Sequence, residues 1–240
     1  MSSAVVLLSG GLDSVTTLFV AKSEGHDLFC ISFDYGQRNQ FELNCAKYQS
    51  KKADVNIEHH HIVTIDPVLF QNRNSQSATA LIAGGASVPE NRPQLLTSEP
   101  EIEVPITYVP ARNLLFLSYA LSFAESRSAN HIYIGANALD YSGYPDCRPA
   151  FLKSFEQTAN LGTKAGTYSN DQFQIHAPLI DLSKAEIIRR GLSLGVDYSF
   201  TSSCYQPSDS GRPCGRCDSC LLRAKGFSEA GEIDAALHIK

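Results

Sequence analysis

Residues 4–14 read Ala-Val-Val-Leu-Leu-Ser-Gly-Gly-Leu-Asp-Ser. Ala4 to Leu8 form the apolar run of a buried strand, and the run passes directly into a loop carrying two glycines. Apolar residues at helical spacing over 15–23 then predict a helix. A strand, a Gly-rich loop and a helix in this order aim unpaired backbone N–H groups and the helix dipole at one point, which is an anion site. Gly10 and Gly11 tolerate positive φ and let an oxygen approach the backbone closely. Ser9 and Ser14 add hydroxyl donors. The loop lacks the Lys of the GxxxxGK[ST] motif, and it is not GxGxxG.

Two more buried strands are predicted at 27–33 and 57–63, with a helix at 41–53 between them. Strand, helix, strand, helix, strand implies an α/β fold: an open parallel sheet, right-handed crossovers, helices on both faces, and ligands at the strands' C-terminal ends. Residues 72–105, rich in Ser, Asn, Gly and Pro, read as a long excursion folding over a substrate. Further on, a helix is expected over 113–126, a short strand over 131–135, a helix over 151–159, and an irregular edge strand over 175–180 that contains Pro178. Ser183 followed by Glu186, with Gly195 beyond, marks a capped helix over 183–194. We expect residues 1–195 to form the nucleotide and substrate domain and 196–240 a C-terminal zinc-binding subdomain.

At 240 residues the chain is long enough for this arrangement, and 43% hydrophobic residues are enough for a full core. A net charge of −5 argues against a protein that gains affinity by neutralising a nucleic-acid backbone. No apolar stretch approaches the ~20 residues that span a bilayer. The first apolar run has no basic flank of a secretory signal, so the expected compartment is the cytoplasm.

Cys204, Cys214, Cys217 and Cys220 follow the spacing C-x9-C-x2-C-x2-C. C-x-x-C arcs bring thiolates to one tetrahedral ion at about 2.3 Å, and four of them close the shell of a structural Zn²⁺. A sulfur-carrying redox pair and an iron–sulfur cluster are the alternatives. Cys30 and Cys45 read as small core residues, whereas Cys147 stands in a polar loop.

The string S-G-G-x-D-S after a strand resembles the PP-loop of the ATP pyrophosphatase superfamily. That resemblance implies a loop gripping the β- and γ-phosphates of ATP while the α-phosphorus stays open to attack. An acid at Asp13 makes sense there if it holds Mg²⁺ on the phosphates. Four more segments narrow the resemblance: F-D-Y-G-Q-R at 33–38, V-P-A-R-N-L at 109–114, S-G-Y-P-D-C-R at 142–148, and the cysteine knuckle ending C-x-x-C-L-L-R-A-K-G-F at 217–227. Together they resemble the 7-cyano-7-deazaguanine synthase family of queuosine biosynthesis over nearly the whole chain. Asn39 and Ala150 depart from that family's usual residues.

The resemblance implies an ATP-dependent carbon–nitrogen ligase acting on 7-carboxy-7-deazaguanine and ammonia. It implies an ATP site over Leu8, Ser9, Gly10, Gly11, Leu12, Asp13, Ser14, Val15, Thr16, Thr17 and Leu18 with Arg38, and Asp13 and Arg112 as catalytic residues. Arg112 opens a predicted helix whose N-terminus already favours anions. Tyr35 could flank a flat base. The loop leaving the fourth strand offers Asp140, Tyr144, Asp146, Cys147 and Arg148 to the substrate, with Asp140 or Asp146 as the carboxylate that accepts from the N–H edge of a deazaguanine. Expected cofactors are ATP, Mg²⁺ and Zn²⁺. The partners are small molecules and a second copy in a homodimer, with no nucleic acid and no membrane. A tRNA thiolase built on the same loop and a zinc-knuckle nucleic-acid module are the rival readings.

Overall fold

The computed structural model describes residues 2–92, 104–137, 144–168 and 172–238. Five strands, β1 (Ser3–Leu7), β2 (Asp27–Asp34), β3 (His60–Thr64), β4 (His131–Tyr133) and β5 (Gln174–His176), make one sheet in the order β3-β2-β1-β4-β5. Every neighbouring pair is parallel. The chain builds outward from β1 to β2 and β3, then returns to the other side for β4 and β5. The direction of winding therefore reverses between β1 and β4, where an open α/β sheet leaves a crevice.

Helices α1 (Leu12–Ser23), α2 (Glu42–Lys52), α3 (Arg112–Ser126), α4 (Pro149–Gly162), α5 (Lys164–Tyr168), α6 (Lys184–Ser193) and α7 (Asp218–Ala230) surround the sheet. Period-two alternation along β1 and β2 sends side chains to two cores. Val5, Leu7, Phe29, Ile31 and Phe33 meet α3 and α4 on one face. Ala4, Val6, Leu28 and Cys30 meet α1 and α6 on the other. Both faces are thus covered, as the apolar runs predict.

Local signals account for several element ends. Ser183 accepts from the Glu186 amide while Glu186 reaches back to the Ser183 backbone, so the capping box forms as read. Pro149 occupies the first turn of α4, where a missing N–H costs nothing. Two expectations need correction. Ile57–His59 form a 3₁₀ turn rather than the start of a strand, because the Asn56 side chain accepts from the Glu58 amide and tightens the chain there. The last strand stops at His176, short of Pro178, as an edge strand beside β4.

The excursion after residue 72 is tied to the body at several points. Gln37 bridges to Ile82, and the Ala80 amide donates to the Ile106 carbonyl. Glu90 bridges to Cys217, and Arg92 pairs with Asp218 at 2.5 Å. No helix among the described residues is long and apolar enough to cross a membrane.

Candidate active site

The loop between β1 and α1 is shaped by close packing. Gly10 has φ +88°, and a Cβ there would lie 2.1 Å from the Glu42 carbonyl oxygen, so no other residue fits. The Ser14 hydroxyl accepts from the Ser9 and Gly10 amides, each at 3.2 Å. The Leu12 amide donates to Ser203 Oγ, while the amides of Asp13 and Ser14 in the first turn of α1 have no carbonyl one turn earlier inside the helix, leaving a positive helix end at the crevice. Gly135, leaving β4, allows that strand to abut the same turn: a Cβ would stand 2.9 Å from the Ser14 amide nitrogen. An anion-holding cradle thus lies at the reversal between β1 and β4.

A cavity of about 220 Å³ extends from this loop to the start of α3. Of the residues predicted for the site, Leu8, Ser9, Gly11, Leu12, Asp13, Ser14, Tyr35, Arg112, Tyr144 and Cys147 line it. Arg112 donates through Nη1 to the Tyr35 hydroxyl at 3.2 Å, and no ion pair of its guanidinium forms among the described residues. Tyr144 donates to Thr107 Oγ1 at 2.8 Å. Cys147 is buried rather than placed in an open polar loop. Asn113 Nδ2 donates to its sulfur at 3.2 Å, and burial pushes its thiol up to about 12.

Other predicted residues lie elsewhere. Val15 and Leu18 belong to the core beneath the loop, and Thr16 and Thr17 are fully buried beside them, because these positions face the sheet from α1. Arg38 donates to the carbonyls of Ala80, Gly85 and Ala86, so it fastens the excursion and does not line the cavity. Asp146 Oδ2 accepts from the Asn113 amide at 2.8 Å at the start of α3, while its buried Oδ1 has no hydrogen-bond partner among the described residues. Arg148 is exposed at the N-cap of α4. Asp140 lies outside the described residues.

Three groups that sequence reading does not single out are present. Lys184, the first residue of α6, donates to both oxygens of Asp13. Glu42, the first residue of α2, lines the cavity with one oxygen accepting from Gln37 Nε2 at 3.0 Å. Ser202 and Ser203 clamp the loop from behind: the Ser202 amide donates to the Gly10 carbonyl, and Ser203 Oγ accepts from the Leu12 amide. Asn39, one of the two departures from the family pattern, donates to Ser202 Oγ at 3.1 Å and joins this clamp. The other, Ala150, is exposed on α4.

Immediately after the clamp comes Cys204. The sulfurs of Cys204, Cys214, Cys217 and Cys220 all lie within 4.8 Å of one another, and Cys214 and Cys220 are 3.9 Å apart. A regular tetrahedron with 2.3 Å bonds has edges of about 3.8 Å, so the set fits Zn²⁺. Backbone amides of Cys214, Arg216 and Cys217 point at these sulfurs, which favours thiolates.

Sheet and loop together define an α/β protein with a Gly-rich loop and a helix N-terminus at the crevice of a parallel sheet. Comparison with known proteins identifies the family. Residues 3–231 match the model described as "Queuosine biosynthesis protein QueC", and the chain belongs to that family. It is 50% identical over 236 residues to the 7-cyano-7-deazaguanine synthase of Desulfatibacillum aliphaticivorans, covering 98% of this chain and 96% of that one. With the enzyme of that name from Stutzerimonas stutzeri (strain A1501) it shares 51% over 231 residues, 96% of each chain. Among solved structures, NMN synthetase from Francisella tularensis matches at a TM-score of 0.49 and 14% identity, over 97% of this chain and 78% of that one, a likeness too slight to carry an argument. Membership agrees with the ligase class and the place in queuosine biosynthesis expected from the sequence.

Proposed function

We propose that the chain converts 7-carboxy-7-deazaguanine and ammonia into 7-cyano-7-deazaguanine at the cost of ATP. The observation that carries this reading is a single cavity bounded by the Ser9–Ser14 loop at one end and by Arg112 and Tyr144 at the other. ATP's outer phosphates on the loop would leave the α-phosphorus facing a carboxylate. That carboxylate would attack it to give an acyl-adenylate and pyrophosphate. Ammonia then displaces AMP, and a second adenylation, now of the amide oxygen, lets AMP leave and the nitrile form.

In this scheme the loop amides and the end of α1 stabilise charge on the departing pyrophosphate. Arg112 offers a cation where the substrate carboxylate or the α-phosphate is negative. Mg²⁺ bound with ATP would shield the phosphate oxygens, and Asp13, the loop carboxylate, would hold it in exchange for its contact with Lys184. The role of the chain is then positioning and charge stabilisation, with no covalent nucleophile.

A sulfur-transfer reading is less well supported. It needs a reactive thiolate at the loop, whereas four cysteines are gathered as a metal set and Cys147 stays protonated at neutral pH. The chain supplied with the carboxylic acid, ammonium, Mg²⁺ and ATP should form the nitrile and AMP. Formation of ADP without AMP would overturn the adenylation scheme.

A further inference from the structure

The reaction proposed above removes protons from one nitrogen at two stages, and most groups around the cavity are poor acceptors. Arg112 is a cation. Asp13 already accepts from Lys184 through both oxygens. Burial raises the pKa values of Tyr35, Tyr144 and Cys147, so each keeps its own proton at neutral pH. Glu42 is different. Its backbone abuts Gly10 of the phosphate loop, and its side chain lies in the cavity wall between that loop and the Tyr35–Arg112 pair. Gln37 fixes it: Gln37 Nε2 donates to Glu42 Oε1 and to the Phe33 carbonyl, while Gln37 Oε1 accepts from the Tyr35 amide. Oε2 of Glu42 has no hydrogen-bond partner among the described residues.

We infer that Glu42 is the catalytic base that takes protons from the ammonia-derived nitrogen. This rests on the function proposed above. In the first stage the ammonia lone pair forms the C–N bond, and the bond from carbon to the AMP oxygen breaks with its electron pair leaving on AMP. The N–H proton passes to Glu42 Oε2. In the second stage the amide oxygen bonds to the α-phosphorus as pyrophosphate leaves, and one of the two amide N–H protons passes to Glu42, giving the imidoyl-adenylate. Its remaining N–H bond then breaks and the pair becomes the third C–N bond. The carbon–oxygen bond to AMP breaks, and Glu42, having returned each earlier proton to solvent, takes this one.

Burial also pushes the Glu42 carboxyl up to about 7, with the Gln37 hydrogen bond and the Arg112 charge acting the other way. The titratable and charged groups facing it are Arg112 from α3, Tyr35 from the loop after β2, and Cys45 on its own helix. A base that titrates near the working pH is well matched to proton transfer.

The experiment compares two activities in Glu42→Gln, which keeps an acceptor for Gln37. Exchange of labelled pyrophosphate into ATP, dependent on the carboxylic acid, reports the first adenylation and needs no base at nitrogen. It should fall no more than a few-fold, while nitrile formation falls about a hundredfold and the acid limb of its pH profile near 7 disappears. Glu42→Asp, with a carboxylate one methylene shorter, should retain the acid limb at a reduced rate, and it carries the test if the glutamine variant does not fold. Parallel loss of exchange and nitrile formation, or a fall in neither, overturns the assignment. Absence of carboxylate-dependent exchange in the unaltered protein would instead remove the function on which it rests.

Discussion

Lys184 Nζ donates to both carboxylate oxygens of Asp13, at 2.7 and 2.9 Å, joining the start of α6 to the first turn of α1. Both side chains are largely withdrawn from solvent, 9% and 16% exposed, so neither charge is well hydrated without the other. Removing one partner leaves a buried charge unmatched. Lys184→Met should lower stability by about 2–4 kcal/mol in urea denaturation. The double variant Asp13→Asn with Lys184→Met should lose less than the sum of the two single changes, by about 1–3 kcal/mol. Simple additivity would show that the pair contributes no coupling.

Ala111 sits at φ +52° immediately before Arg112, a left-handed conformation that costs a side chain energy and costs glycine little. Ala111→Gly should therefore stabilise the protein by about 0.5–1 kcal/mol while leaving the Arg112–Tyr35 contact in place. A lower midpoint in chemical denaturation would show that the strain is relieved in some other way.

Metal removal should reach the phosphate loop, because Cys204 follows directly on Ser202 and Ser203, the two residues that clamp Gly10 and Leu12. Protein stripped of zinc, or Cys217→Ser, should bind ATP at least about fivefold more weakly, a coupling of about 1 kcal/mol. Zinc content and nucleotide affinity measured on the same samples check this. Unchanged affinity in zinc-free protein would separate the knuckle from the loop.

His60 is held between the hydroxyls of Ser32 and Ser50, at 2.8 and 2.9 Å from its ring nitrogens, and burial lowers its pKa from 6.5 to about 4. Between these values the unfolded chain binds the proton and the folded chain does not. Stability is therefore full above about pH 6.5 and declines as pH falls toward 4, by up to about 3 kcal/mol. Denaturation midpoints across this window should fall less steeply for His60→Gln. Equal steepness would assign the acid sensitivity to other groups.

The sheet was legible in the sequence because β1 and β2 are apolar runs buried on both faces, and α6 because its caps are local. The phosphate loop was legible for the same reason: strand, glycines and helix are contiguous. Lys184 and Ser202 were not, since each acts on the loop from more than 160 residues away and carries no motif of its own. Glu42 carries no motif of its own, and only the packing of Gly10 against α2 brings it to the cavity. Arg38, an arginine after a strand end, fits an anion site by type, yet here its donors satisfy three carbonyls of the excursion. Asp146 uses one carboxylate oxygen on the start of α3 and keeps the other buried without a hydrogen-bond partner among the described residues.

The central claim is that carbonyl oxygens leave as part of AMP, and an oxygen-labelling experiment tests it most directly. Substrate carrying ¹⁸O in both carboxylate positions would be turned over with ammonium, ATP and Mg²⁺, and the nucleotide products analysed by mass spectrometry. The account predicts AMP as the labelled product, with one ¹⁸O in each AMP and two AMP released for every nitrile. Label recovered in inorganic phosphate or water, with ADP as the nucleotide product, would contradict it.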